Sequence, residues 1–215
     1  FSSCNGLTVE SIQPYLQEIA TSQESINLTA WRNLGDNLRI IGKVLESQLI
    51  LETLGTNSQD VYPEATFLSL GNTYAALGNL EQDRQAETKY KYQPWQCEVN
   101  PKLSTISKNY YLTSLDSYAQ VVSAKKNNLT VLKAQLNRLK ILRNLSKVEE
   151  AQQIINQLNL SGLPPSKFKI FAIINYAQNL ACLELREEQI KSSEKIIKLL
   201  ELAIKDAIKI DDRKS

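Results

Sequence analysis

Apolar residues recur at intervals of three and four along most of the chain, the spacing of helices with one buried face. Val9, Ile12, Leu16 and Ile19 form the first such stripe, with Thr8 placed as its N-cap and Ser11 following. Pro14 falls inside this stripe and brings no amide donor, which predicts a kink or a start nearer Ile12. Trp31, Leu34, Gly35, Leu38 and Ile41 share the next face, interrupted at Gly42. A second helix carries Leu45, Leu49 and Leu51 and ends at Gly55 before the polar run Thr56-Asn57-Ser58.

The same order recurs downstream. Phe67, Leu70, Gly71 and Tyr74 share a face, Gly78-Asn79 reads as a break, and a charged helix is expected from Leu80. The two Leu-Gly pairs lie 36 residues apart. Gly within a helix is about 1 kcal/mol worse than Ala, so Gly35 and Gly71 imply neighbouring helices that approach too closely for a side chain. Gly42 and Gly78 suit release of the chain, because Gly enters the left-handed region without steric strain. One hairpin cannot bury both its faces, so units of this length are expected to stack.

Residues 92–104, with Pro94, Trp95 and Pro101, interrupt the rhythm as an insertion, where Trp95 either pins the loop or forms an exposed contact point. Helical spacing resumes with Tyr111, Leu115, Tyr118 and Val122, then Leu132, Leu136, Leu139 and Leu142. A turn near Leu145-Ser146 leads to Val148, Ala151, Ile155 and Leu158. Gly162 to Pro165 breaks the chain again, with Ser166 able to cap a helix carrying Ile170, Ile173, Tyr176, Ala177 and Leu180. Ile196, Leu200, Ala203 and Ala207 mark the last helix, and the mixed charges of Lys191 to Lys214 read as its solvated face. The expectation is an all-α chain of stacked antiparallel helical hairpins. It forms a single repeat domain over 1–215 with units at 29–56, 65–91, 105–160 and 168–209.

Composition agrees with that class. Of 215 residues, 42% are hydrophobic and 22% charged, and only seven Gly and six Pro are available for tight turns. The net charge of +2 is too mild for a nucleic-acid groove, and no apolar run reaches the ~18 residues of a spanning helix. The chain has no His, which removes Ser-His-Asp and Cys-His machinery and the commonest metal ligand. No catalytic residue, metal site or cofactor is therefore expected. Cys4, Cys97 and Cys182 are odd in number and widely spaced, which argues against a zinc ribbon or a disulfide framework. Cys4 reads as a free thiol in preference to a lipoprotein remnant. The absence of Met suggests an excised or processed piece, and four Asn-x-Ser/Thr triplets are no more than an Asn-rich chain supplies by chance.

Trp31-x2-Leu34-Gly35-x2-Leu38 and Phe67-x2-Leu70-Gly71-x2-Tyr74-x3-Gly78 resemble the first helix of the tetratricopeptide repeat (TPR). Glu149-Glu150-Ala151-x3-Ile155 resembles the second helix of a further repeat, and Ile173-x2-Tyr176-Ala177 the first helix of another. Asp83, where the family has a small residue, departs from the pattern. The phrases Phe67 to Thr73, Lys133 to Asn137 and Leu163 to Gln178 are also similar to repeat regions of cyanobacterial proteins that end in a caspase-like CHAT domain. The resemblance implies a TPR-like α-solenoid whose first helices line a groove for a peptide or partner helix. It places Arg32, Asp36 and Arg39 on that wall, with Asn72 from the second unit and Lys133, Asn137 and Lys140 from the third. Trp31, Phe67, Tyr74 and Tyr176 are assigned to packing. Asp36 and Ser69 depart from the family's carboxylate clamp, which argues against chaperone tails. The implied function is a non-enzymatic scaffold binding a protein or peptide, or the regulatory arm of a CHAT protein with a covalently linked C-terminal domain. The alternative is a lipid-anchored or periplasmic assembly factor, with the cytoplasm the favoured compartment.

Overall fold

The computed structural model describes residues 6–85, 103–124, 128–158, 160, 162–184 and 193–211. Among them the regular structure is helical throughout: α1 Val9–Thr21, α2 Ser25–Ile40, α3 Val44–Gly55, α4 Pro63–Gln85, α5 Thr105–Ala124, α6 Asn128–Asn144, α7 Val148–Gln157, α8 Lys167–Glu184 and α9 Ser193–Asp211. The contacts divide the chain into two units, Phe1–Lys89 with Leu103–Ala134, and Tyr90–Lys102 with Gln135–Ser215. Cys4, Trp95, Cys97 and most of the expected insertion lie outside the described residues.

In the first unit α1 begins at Val9, earlier than Pro14 suggests. Thr8 and Ser11 form a reciprocal capping box that satisfies the first-turn amides, and Pro14 is accommodated within the helix. Ile12 and Ile19 join Leu28, Leu38, Ile50, Leu51, Leu54 and Leu70 in one core, with Trp31, Phe67 and Tyr74 packed at its edge. Gly42 takes φ +89°, and the amide of Lys43 returns to the carbonyl of Leu38 at 2.8 Å, closing α2 with a left-handed cap. Ser146 repeats this geometry after α6, with φ +59° and the Lys147 amide 2.8 Å from the Leu142 carbonyl. Asn57, in the polar run after α3, donates through Nδ2 to the carbonyls of Ile19 and Ser22 at 2.8 and 2.9 Å. It thereby closes the C-terminal end of α1.

The second Gly-Asn pair does not break the chain. α4 runs unbroken from Pro63 to Gln85, so the separate helix expected from Leu80 is part of it. A Cβ on Gly78 would stand 2.6 Å from Cε1 of Tyr111, and one on Gly71 would overlap the ring of Tyr118. The two tyrosines lie seven residues apart on α5, as the glycines do on α4, so the helices are antiparallel and in register. Polar bonds repeat with the same period. Ser107 donates to the Gly78 carbonyl at 2.8 Å and Ser114 to that of Gly71 at 2.7 Å. Tyr111 donates to Asn79 Oδ1 at 2.7 Å and Tyr118 to Asn72 Oδ1 at 2.8 Å. Each ring thus lies on a bare stretch of backbone with its hydroxyl satisfied.

The direction of the other helices follows from their contacts. Arg32 meets Thr66 and Asp36 meets Ser69, so α2 and α4 run parallel. Gly55 lies by Leu70 while Ser47 lies 3.1 Å from Thr73, so α3 is antiparallel to α4.

In the second unit Ala151, Ile155, Ile173, Tyr176 and Leu180 are buried, and Tyr176 donates its hydroxyl to the Ile155 carbonyl at 3.2 Å. Ser166 caps α8 by accepting from the Lys169 amide at 3.1 Å. The buried side of α9 carries Ala203 and Asp206, with Leu200 and Ala207 exposed, a rotation from the expected face. Asp206 is not a solvated charge: its Oδ2 lies 2.8 Å from Lys169 Nζ, with both side chains at or below 5% exposure. Cys182 is buried and disulfide-bonded, contrary to the reading of the cysteine spacing, and its partner lies outside the described residues.

Candidate functional site

The expected wall residues on α2 occupy one stripe at four- and three-residue intervals, but they do not share one environment. Arg32 is 8% exposed. Its Nη1 lies 3.5 Å from Asp60 Oδ1 and donates to Thr66 Oγ1 at 3.4 Å, and its guanidinium carbon stands 5.9 Å from the centre of the Tyr62 ring. Thr66 in turn donates to Asp60 Oδ2 at 2.6 Å. Arg32 is therefore a buried strut tying α2 to the segment before α4, not an open cation. Asp36 accepts from Arg39 Nη2 at 3.2 Å and from Ser69 Oγ at 2.8 Å, bridging α2 and α4. Asn72, on α4, accepts from Tyr118. Asp36, Arg39 and Asn72 remain half-buried, each with a structural bond or ion pair.

The α6 residues separate. Lys133 is exposed and belongs to the first unit, while Asn137 and Lys140 are half-buried in the second. Burial, and then the neighbouring charge of Arg143, hold the Lys140 ammonium below the usual lysine pKa.

The first unit holds a different concavity, a groove of about 410 Å³ whose walls are α3 and α5 and whose floor is α4. Phe67, Leu70 and Tyr74 form the floor, at the spacing that places them on one face of α4. Glu52 and Gly55 come from α3 and Thr56 from its C-cap, and Thr113, Asp116 and Gln120 are among those from α5. Gly55 keeps the α3 wall low, since a Cβ there would already meet Leu70 Cδ1 at 3.3 Å. Tyr74 donates a short hydrogen bond to Glu52 Oε1, and Gln48 Nε2 donates to the same oxygen at 2.7 Å. Burial first, and then the bond and the charge of Glu52, raise the Tyr74 pKa, so the phenol stays a donor. Tyr74 was expected only as packing, and Glu52 and Asp116 carry no local signal. They become neighbours of one groove only when three helices meet.

Comparison of the chain with protein-family models, with curated proteins and with solved structures finds no match. Among the described residues, no helix is long and apolar enough to cross a membrane.

Proposed function

We propose that the chain is a non-enzymatic interaction or scaffold module of the TPR-like kind, which binds a peptide or helix of a partner protein. The observation that carries this reading is the α3–α4–α5 groove, open and floored by half-buried aromatic residues. Its volume falls within the ~300–1,000 Å³ typical of ligand-sized sites. The parallel course of α2 and α4, with α3 antiparallel to them, supports the repeat reading that the Leu-Gly pairs suggest. Asp36, Arg39 and Asn72 stay candidate contacts on the α2–α4 side, with Lys133, Asn137 and Lys140 candidates on α6. Arg32 leaves that set because of its burial. By resemblance, the module serves as the regulatory arm of a caspase-like CHAT protein.

A second reading, a periplasmic or lipid-anchored assembly factor, is favoured by the disulfide at Cys182, since such bonds persist in oxidising compartments. A longer coding sequence separates the two. A downstream domain bearing His and Cys supports the first, and an upstream lipoprotein signal the second.

The direct test is to pan a random nonapeptide display library against the purified full chain. Saturable enrichment, competed by the resynthesised peptides, is expected. No enrichment above bare matrix contradicts the reading. So does substrate turnover that survives purification and is lost on replacing a single carboxylate or cysteine.

A further inference from the structure

The floor and walls of the groove differ from the rest of the chain in charge. Across the whole sequence Lys and Arg outnumber Asp and Glu by 25 to 23. Among the described residues, those lining the groove include two carboxylates, Glu52 and Asp116, and no Lys or Arg. The carboxylates stand on opposite walls, with the ring of Tyr74 and the partly exposed ring of Phe67 beneath them. Both hydrogen bonds that Glu52 accepts among the described residues fall on Oε1, so its position is fixed without engaging Oε2. Asp116 is exposed at the rim.

Resting on the interaction-module reading, we propose that this groove binds an arginine side chain presented by an extended segment of a partner protein. The chemistry selects the residue. The apolar floor of Phe67 and Leu70 suits the methylene stem, which buries readily while its head group stays hydrated or paired. A guanidinium is planar, stacks on aromatic faces, and offers a rigid fork of donors to carboxylates. Lysine supplies a compact, strongly hydrated charge that neither stacks as well nor bonds two oxygens in a plane. An acidic segment is repelled by Glu52 and Asp116. A wholly apolar helix would desolvate Glu52 Oε2 and offer it no donor. The site lies between the two second-position helices α3 and α5, away from the α2 wall that the family resemblance indicates.

The experiment takes nonapeptides enriched on the full-length chain, resynthesised with each arginine replaced in turn by citrulline or lysine. Binding is measured by fluorescence anisotropy at low and physiological salt. Arginine is expected in the enriched set, and citrulline at that position should weaken binding about tenfold or more, with lysine intermediate. Asp116→Asn, at an exposed position, should weaken binding and flatten its salt dependence while the melting midpoint stays unchanged. Glu52→Gln should weaken it further and abolish discrimination between arginine and citrulline. Enriched peptides without arginine, or affinities untouched by both variants, overturn the arginine site and leave the interaction module standing. Peptides of an apolar helical pattern do the same. A library that yields no binder overturns both.

Discussion

The ring of Tyr118 lies where a side chain on residue 71 would have to go. Gly71 is therefore fixed by its neighbour and not by its own helix, and Gly78 stands in the same relation to Tyr111. Replacing Gly71 by Leu forces the α4–α5 crossing apart and is expected to destabilise by about 1–3 kcal/mol. At this chain length that lowers the thermal midpoint by about 2–4 °C per kcal/mol. Gly55→Ala is the control. Its Cβ meets the terminal methyl of Leu70 at 3.3 Å and Phe67 Cε1 at an ordinary 4.0 Å, and the gain in helix propensity of up to ~1 kcal/mol opposes the closer contact. Little change is expected there, and equal loss in both variants would contradict the packing.

The Arg32–Asp60 pair gives the second prediction. With Asp60 at 4% side-chain exposure, Asp60→Ala leaves a buried guanidinium unpaired and should cost about 3–5 kcal/mol. Chemical denaturation reads this directly. A loss below about 1 kcal/mol, the value of an exposed pair, would place Arg32 on an open surface after all.

The third concerns Cys182. The sequence holds three cysteines and a bond within the chain consumes two, so one thiol should react per denatured, unreduced chain and three after reduction. Peptide mapping identifies the partner. Reduction should lower stability by about 2–4 kcal/mol. Three reactive thiols before reduction would remove the disulfide and the argument for an oxidising compartment with it.

What the sequence made legible was what neighbours within a few residues decide. The helical class follows from apolar spacing, the caps at Thr8 and Ser166 from hydroxyls ahead of apolar stripes, and the left-handed turn at Gly42 from an isolated glycine after one. Gly78-Asn79 has the same local signal as a helix end, yet Ser107 and Tyr111, some thirty residues away, use that backbone as a packing surface. Glycine marks a turn and a close contact alike, and only the distant partner distinguishes them. The burial of Arg32 is hidden for a related reason. Its position in the repeat points to an inner wall, but Asp60 lies in a polar stretch with nothing to announce an ion pair. The groove leaves no local mark in the sequence because Glu52, Tyr74 and Asp116 come from three helices. Tyr74 alone gave a hint, since a partly buried phenol needs a hydrogen-bond partner.

The central claim, that partners bind the α3–α4–α5 groove, is tested most directly by site-specific photo-crosslinking. A photoreactive residue is placed either at Gln120, on the groove rim, or at Arg39, on the α2 wall. Each protein is irradiated with the enriched arginine-containing peptides. The account predicts a crosslinked product from position 120 that unlabelled peptide competes away, with or without a further product from position 39. Crosslinking from position 39 alone would contradict it and return the site to the α2 wall.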